Sequence, residues 1–307
     1  MQTVIQYIGT EQGCPLYMKR EDLIPYSFGG NKARKALLFF EEIDRGDYDT
    51  VVTYGSSHSN HCRVVANMAA ARGMQCMIIG PQEVCDETYN SRMMALFGAE
   101  IRTVPVQEVH DTIEQTLADL RAAGRKPYFI EGGGHGNIGT EAYVQCYREI
   151  AEYERSTGEH FDLIFFASGT GTTHAGLVCG QMIGGDAPRL IGISIARKNP
   201  RGRNVVRESI DSYFAANGFS FSDAEIEKSL CFLDDYICAG YGTEDDAVSS
   251  VIRYVMKQYG IPLDSTYTGK AFRGMLSYLE ENGIHGQKIL FIHTGGTPLF
   301  FDDLNKI

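Results

Sequence analysis

The stretch DTVVTYGSSHSNHCRVVANMAAARGMQCMIIG, residues 49–80, predicts the fold class of this protein. Residues 49–55 form a short apolar run rich in Val and Thr, which is typical of a buried strand. Residues 59–73 have helical periodicity and end at Gly73, and residues 74–80 form a second apolar run. We therefore expect a strand, a helix and a second, parallel strand.

The same alternation continues along the chain. Further strands are predicted at 99–106, 126–134, 161–169, 189–196 and 287–296, and further helices at 85–98, 109–124, 140–158, 172–184, 204–218, 243–260 and 269–283. Strands alternating with helices of this length predict an α/β fold whose sheets are largely parallel, twisted and flanked by helices. Breaks in composition around Gly46 and Gly158 predict two domains, a large one of residues 1–46 plus 159–307 and a small one of residues 47–158.

The composition is that of an ordinary globular protein. The chain has 307 residues, 43% of them apolar, and 28 Lys and Arg against 39 Asp and Glu, so nucleic acid is not an expected partner. We expect no membrane span and no signal peptide, because the sequence has no long uncharged apolar run and no basic start before an apolar segment. Eight cysteines without a C-x-x-C pair fit reduced thiols in a cytoplasmic protein.

A helix with an unusual start is predicted in FGGNKARKALLFF, residues 28–40. Its first turns carry Lys32, Arg34 and Lys35, although the positive end of a helix dipole favours acidic side chains. A bound anion would account for these cations. A lysine near a helix start and other cations is expected to have a lowered pKa, which makes it a better nucleophile toward a carbonyl group. A solvated basic face is the alternative explanation.

A glycine-rich turn separates a strand from a helix in FFASGTGTTHAGL, residues 165–177. The turn consists of Gly169, Thr170, Gly171, Thr172 and Thr173. Its backbone N–H groups and hydroxyls at a helix N-terminus suit a phosphate, whereas a strand–helix turn without a ligand is the alternative. His174 excludes a dinucleotide G-x-G-x-x-G motif, and a Walker A loop is also absent from the sequence. A phosphate site together with a carbonyl-reactive lysine indicates pyridoxal phosphate.

Polar side chains are concentrated in GSSHSNHCR, residues 55–63, between the first strand and its helix. Ligands of open α/β folds bind at this edge of a parallel sheet. The hydroxyl, amide and backbone donors there suit a carboxylate or an aromatic oxygen, whereas an N-cap at Ser57 or Ser59 is the structural alternative. His58 and His61 lack convergent carboxylate or cysteine spacing, so we predict no metal site.

A series of segments occurs in an order that resembles a known family. The segments are LYMKREDL, GGNKARKA, SNHCR, ASGTGTTHAGL, AGYG, YTGKA and FIHTGG. From about Leu16 to Phe300 the chain resembles D-cysteine desulfhydrase and 1-aminocyclopropane-1-carboxylate deaminase, which are tryptophan-synthase-β-like (fold type II) pyridoxal phosphate enzymes. The resemblance implies pyridoxal 5'-phosphate in the cleft between two domains, a small amino-acid substrate and a homodimer.

The resemblance also implies roles for individual residues. Lys32 would be the Schiff-base lysine and Lys35 a phosphate contact, with the turn from Gly169 to Thr173 as the phosphate site. Asn60 would bond the ring oxygen of the cofactor. The expected catalytic residues are Lys32, Ser59, Tyr241 and Tyr267, and the expected substrate contacts are Ser59, Asn60, His61, Tyr241 and Tyr267.

Two positions depart from the deaminase pattern. The deaminase has a glutamate after the tyrosine matched by Tyr267, whereas this chain has Thr268, as the desulfhydrase does. A hydroxyl from Thr268 or Thr294 would leave the pyridine nitrogen of the cofactor nearer neutral, which is adequate for β-elimination. His58 stands where the family usually has glutamine.

We therefore expect a lyase that carries out α,β-elimination on a small β-substituted amino acid and gives pyruvate, ammonia and the leaving group. The alternatives are 1-aminocyclopropane-1-carboxylate deamination, a β-replacement of the cysteine-synthase kind, and a non-catalytic protein that binds pyridoxal phosphate.

Overall fold

The computed structural model describes residues 2–187, 189–238 and 245–304, and its strands form two sheets. The six-stranded sheet contains, in spatial order, β1 (Ile5–Glu11), β2 (Cys14–Arg20), β10 (Ile289–His293), β7 (Leu163–Ser168), β8 (Leu190–Ser194) and β9 (Cys231–Leu233). The four-stranded sheet contains β5 (Glu100–Val104), β4 (Gln75–Pro81), β3 (Thr50–Tyr54) and β6 (Pro127–Ile130).

Helices follow nearly every parallel strand. They are α1 (Asn31–Arg45), α2 (Asn60–Ala70), α3 (Tyr89–Leu96), α4 (Val109–Ala122), α5 (Asn137–Thr157), α6 (Thr172–Gly184), α7 (Arg201–Asn217), α8 (Asp223–Ser229), α9 (Asp246–Tyr259), α10 (Thr268–Glu281) and α11 (Thr297–Asp303). The predicted α/β fold is confirmed. The sequence prediction missed α8, β9 and α11, because two helical turns are too short to establish a helical periodicity and the three residues of β9 are too few to form an apolar run. Within the described ranges no helix combines the length and apolar character needed to cross a bilayer.

The β1–β2 hairpin is the antiparallel part of the six-stranded sheet and was also missed. Two residues, Gln12 and Gly13, join the strands, with φ of 49° and 78°. Positive φ at both positions is the geometry of a type I′ turn, whose twist matches that of the paired strands. A Gln-Gly pair is a weak signal for this turn in a sequence.

The parallel strands place the loops of the candidate site at one edge of each sheet. In the large sheet β10 lies between β2 and β7, so that Phe291 pairs with Met18 on one side and Phe165 on the other. All residues of β10 are buried, as expected for a central parallel strand covered on both faces. The carboxyl ends of parallel strands lie at the same edge, and the loops that follow them can therefore line one cavity.

Two helices connect the cores of the two sheets. Helix α1 contributes Phe40 and Ile43 to the apolar cluster of the four-stranded sheet, and α5 contributes Tyr143 and Ile150 to a cluster of the six-stranded sheet. Each helix thus packs with the strands of the other predicted domain. The division of the chain into residues 1–46 plus 159–307 and residues 47–158 stays a prediction.

Candidate active site

A cavity of about 820 Å³ lies where loops from both sheets meet. Its walls include residues that follow β3, β4 and β6 of the small sheet and β7, β8 and β10 of the large sheet. Most of the predicted site residues line it, namely Lys32, Ser59, Asn60, His61, Gly169, Thr170, Gly171, Thr173, Tyr267 and Thr294. The structure does not bring Lys35, Thr172 or Thr268 to this wall. Tyr241 lies outside the described residues.

Lys32 projects into the cavity from the first turn of α1. Its Nζ donates a hydrogen bond to the carbonyl oxygen of Gly133 at 3.0 Å, in the loop after β6. A Cβ atom at position 133 would lie 3.0 Å from this Nζ and 3.0 Å from a methyl of Thr170, so glycine leaves space between the amine and the turn after β7. Gly133 also has a φ of 76°, which favours glycine.

The amine of Lys32 has a lowered pKa. Its pKa is lowered to about 8, mainly by burial; the Cys62 thiol acts in the opposite direction, and the nearby Arg197 guanidinium adds to the lowering. The sequence predicted this direction from the helix start and the neighbouring cations, and burial is the larger cause. A sizeable fraction of the amine is therefore neutral near pH 8, and the neutral form attacks carbonyl groups.

The three cations at the start of α1 have separate environments. Arg34 points away from the cavity, where its Nη1 donates to Glu149 at 2.7 Å and its Nη2 to Glu21 at 2.9 Å. Lys19 bonds the same Glu149 at 2.6 Å, so this buried network joins β2, α1 and α5. Arg34 thus anchors the helix that carries Lys32, and it takes no part in an anion site.

The turn after β7 has the form of a phosphate site. Backbone N–H groups of Gly169, Thr170 and Gly171 precede the 13-residue α6, and the positive end of its dipole faces the turn. Gly171 has a φ of 106°, which a residue with a side chain rarely adopts. The Thr173 hydroxyl accepts a hydrogen bond from the amide of Asn31 at 3.1 Å, which ties the turn to the start of α1.

Lys35 lies behind this turn. Its Nζ donates to the Thr172 hydroxyl at 2.6 Å, and both side chains are fully buried. Burial, and next the Lys32 ammonium, holds the pKa of Lys35 well below its usual value. A phosphate dianion on the other side of Thr172 would favour the protonated form of this amine.

The loop after β3 presents an amide and a hydroxyl to the cavity. The Ser59 hydroxyl caps α2 by accepting from the backbone N–H of Cys62 at 3.1 Å, as the structural alternative for Ser59 anticipated, and Ser59 also lines the cavity. The Asn60 side-chain oxygen accepts from the guanidinium of Arg63 and from the amide of Asn90. Its NH2 group is therefore the part of Asn60 left for a ligand oxygen.

His61 is buried and neutral. The Thr53 hydroxyl donates its single proton to the Ile130 carbonyl at 2.7 Å, so the Nε2–H of His61 donates to that hydroxyl at 2.8 Å. Burial, together with Lys32 and Lys35, keeps the pKa of His61 well below its usual value. The imidazole supports the cavity wall as a neutral group.

Tyr267 and Thr268 begin α10 but face different surroundings. Tyr267 lines the cavity, whereas the Thr268 hydroxyl donates to the Asp264 carboxylate at 2.7 Å and is fully buried. Asp264 also accepts from the backbone N–H groups of Thr266 at 2.9 Å and Tyr267 at 2.7 Å. Burial raises the pKa of Asp264 to about 6 in spite of these bonds. A buried carboxylate, which the sequence analysis did not find, therefore organises this turn.

Thr294 lines the cavity. The sequence had offered either Thr268 or Thr294 as the hydroxyl beside the pyridine nitrogen of the cofactor. Thr294 follows β10, and its carbonyl accepts from the backbone N–H of Asn31 at 2.9 Å. The preceding His293 accepts from the Gly295 N–H at 3.2 Å and donates from Nε2 to the Pro262 carbonyl at 2.8 Å. His293 thus holds the Thr294 turn beside the segment that carries Tyr267.

These features fit one small molecule with an aldehyde and a phosphate. The amine of Lys32 and the turn before α6 border the same cavity, and the comparison with known sequences agrees: a family model described as pyridoxal-phosphate dependent enzyme matches residues 4–295.

The chain belongs to the pyridoxal-phosphate dependent enzyme family. The cofactor predicted from Lys32 and the glycine-rich turns is thereby confirmed. In this family the chain is similar to D-cysteine desulfhydrase of Serratia proteamaculans, with 33% identity over 96% of this chain and 89% of the relative.

Solved structures of pyridoxal phosphate enzymes share the fold. A crystal structure of an ACC deaminase homologue superposes with a TM-score of 0.86 and 33% identity, over 100% of this chain and 93% of that one. Threonine deaminase isoform 2 of Solanum lycopersicum has 18% identity and a TM-score of 0.66, over 100% of this chain and 87% of that one, a likeness in fold alone.

Sequence reasoning missed several residues that shape the site. These are Arg63, Asn90, Gly133, Arg197 and Asp264. Arg63 stands in the SNHCR segment and Gly133 in the EGGGHG run, so a signal was present for these two. Asn90, Arg197 and Asp264 stand in ordinary contexts, and their roles depend on contacts with distant segments.

Proposed function

We propose that this protein is a pyridoxal-phosphate-dependent lyase that carries out α,β-elimination on a small amino acid with a good β-leaving group, cysteine being the first candidate. The products would be pyruvate, ammonia and, from cysteine, sulfide. The observation that carries the proposal is that Thr294 and Tyr267 both line the cavity, while position 268, where the deaminase has a glutamate, is a threonine in this chain. The described carboxylates that line the cavity, Glu83, Glu131 and Glu208, belong to other segments.

The bound cofactor supplies an electron sink that makes the Cα proton of the amino acid removable. With a hydroxyl as neighbour, the sink is weaker than with a carboxylate, because no anion stabilises a protonated ring nitrogen. A weaker sink suits a substrate whose β-group leaves at once, such as a thiolate. Opening an unactivated cyclopropane lacks this outlet.

In this proposal each residue of the site has a separate role in the reaction. Lys32 would hold the cofactor through the carbonyl carbon, and its free amine would take the Cα proton of the bound amino acid, with Ser59 as the alternative base. Ser59, the Asn60 amide and the backbone at His61 bind the substrate carboxylate. Tyr267 assists the leaving group, a role shared with Tyr241.

We also propose which residues bind the cofactor. The Asn60 NH2 donates to the ring oxygen, and Gly169, Thr170, Gly171 and Thr173 bind the phosphate. Lys35 and Thr172 support that turn from behind, at the 2.6 Å distance between Nζ and the hydroxyl. Thr294 would be the neighbour of the ring nitrogen, and Thr268 would contribute through the turn that it shares with Asp264.

The test is a side-by-side assay in one buffer. D-cysteine, L-cysteine and β-chloro-alanine are scored for pyruvate, and 1-aminocyclopropane-1-carboxylate for 2-oxobutanoate, with Lys32→Ala as the inactive control. We expect pyruvate from at least one β-substituted amino acid and little 2-oxobutanoate. Rapid 2-oxobutanoate formation would instead favour the deaminase function. This second candidate is supported by the 33% identity to an ACC deaminase homologue.

A cytoplasmic location and a homodimer are further proposals. The eight cysteines are unpaired in the structure, which fits a reducing compartment. Light scattering of the purified holoenzyme would measure the mass in solution, and a mass of one chain would contradict the dimer.

A further inference from the structure

A buried arginine without an acidic partner lies directly behind the cavity. Arg63, on the first turn of α2, has no exposed surface. Its contacts are neutral oxygens: Nε donates to the Ser27 hydroxyl at 3.2 Å, and Nη1 donates to the side-chain oxygens of Asn90, at 2.6 Å, and of Asn60. Its Nη2 is buried and has no hydrogen-bond partner among the described residues.

An uncompensated buried cation is costly, and other buried arginines of this chain are paired. Arg34 bonds Glu21 and Glu149, and Arg189 bonds Glu154 at 2.6 Å. Burial lowers the pKa of Arg63 to about 9, while the phenol of Tyr267 is near enough to raise it. The positive charge of Arg63 therefore contributes to the electrostatic potential at the cavity wall, because no described carboxylate neutralises it.

The contacts of Arg63 also determine which way the Asn60 amide faces. A guanidinium has donors only, so the atom of Asn60 that meets it must be the oxygen. The Asn90 NH2 donates to the same oxygen at 3.1 Å and to the His58 carbonyl at 2.9 Å. With its oxygen held by two donors, Asn60 has its NH2 left for the cavity that it lines.

We propose that Arg63 is a positioning residue which acts through Asn60: it fixes the Asn60 NH2 toward the ring oxygen of the cofactor, and its unpaired charge stabilises that oxygen as an anion. The proposal rests on the proposed contact between Asn60 and the cofactor, and it does not depend on which amino acid is the substrate. Hydrogen bonding to the charged form, and a nearby cation, both lower the pKa of the group concerned.

The test measures the bound cofactor without turnover. Holoenzyme of the wild type, Arg63→Lys and Arg63→Met is titrated with pH, and the midpoint of the change in cofactor absorbance is recorded. We expect Arg63→Met to raise the midpoint by about one pH unit, since it removes both the charge and the contact. Arg63→Lys keeps the charge but loses the planar guanidinium that reaches Ser27 and both asparagines, so its midpoint should lie between the other two.

Cofactor affinity gives a second readout. The dissociation constant should increase by roughly 3- to 10-fold in Arg63→Met, the effect of one weakened hydrogen bond. The matched control is Arg189→Met, which removes another buried arginine that precedes β8 and does not line the cavity. It should lower stability and leave the absorbance midpoint unchanged.

An unchanged midpoint in both Arg63 variants, with cofactor bound, would overturn the proposal. If Arg63→Met does not fold, Arg63→Lys alone decides, because a midpoint equal to that of the wild type would exclude the role of the contact. Failure of the elimination assay together with the expected midpoints would refute the proposed substrate and leave the role of Arg63 standing.

Discussion

Valine in place of Thr268 and valine in place of Thr294 should have different consequences, although both threonines are candidates for the ring nitrogen of the cofactor. The Thr268 hydroxyl donates to the Asp264 carboxylate at 2.7 Å and accepts from the Asp264 backbone N–H at 3.0 Å. The Thr294 hydroxyl borders the cavity and has no hydrogen bond to another residue in the described part of the chain. One hydroxyl therefore serves the fold and the other is available to a ligand.

The expected magnitudes follow from these contacts. Thr268→Val removes a hydrogen bond to a buried charged group, so the free energy of unfolding should fall by about 2–3 kcal/mol. Thr294→Val removes no internal hydrogen bond and should change that free energy by less than about 0.5 kcal/mol. Loss of its contact with the cofactor should cost about 0.5–1.5 kcal/mol, or roughly 2- to 13-fold in the cofactor dissociation constant.

Both quantities are measurable on the same preparations. Urea unfolding of the cofactor-free variants gives the stability, because bound cofactor would add its own stabilisation. Titration with pyridoxal phosphate, followed by absorbance, gives the affinity. The reasoning is refuted if Thr268→Val retains wild-type stability and weakens cofactor binding more than Thr294→Val does.

Three further predictions address the amines and the buried carboxylate. Borohydride treatment should fix the cofactor on the peptide that contains Lys32, and recovery on any other lysine would contradict its role; Lys32→Ala should abolish turnover. Lys35→Met should weaken cofactor binding by about 10-fold. Burial holds the pKa of Lys35 low, so the wild-type protein should take up a proton when it binds the cofactor, and Lys35→Met should not. Calorimetry in buffers of different ionisation heat measures this proton uptake. Asp264 has a folded-state pKa of about 6, above the unfolded value, so its contribution to stability decreases as pH rises through 6. Between pH 5 and 7.5 the free energy of unfolding of the wild type, measured in urea, should fall by about 1 kcal/mol more than that of Asp264→Asn. Equal decreases would exclude this carboxylate as the cause.

Local patterns in the sequence were sufficient for the fold class and for much of the candidate site. The alternation from residue 49 onward predicted the α/β fold, because apolar periodicity records which face of each element is buried. Lys32 and the turn from Gly169 to Thr173 could be found in the same way, since a cation at a helix start and glycines before another helix are unusual within a few residues.

Only the tertiary structure decided which of these residues line the cavity. Lys35 meets Thr172 from 137 positions away, and Lys32 meets Gly133 from 101 positions away. Periodicity predicts that a side chain is buried and leaves its partner unspecified. Periodicity alone therefore could not separate Lys32, in the cavity, from Lys35, behind the turn after β7, and their separate roles were predicted only from the family resemblance.

The same reason applies to the groups that position the site. The sequence offered Thr268 and Thr294 as equals, and the burial of Thr268 against Asp264 distinguishes them. Arg63 stands in the SNHCR segment of the sequence, but its buried charge is established only by its contacts with Ser27, Asn60 and Asn90. Elements are encoded by neighbours in the chain, whereas the electrostatics of the site is encoded by contacts between segments far apart.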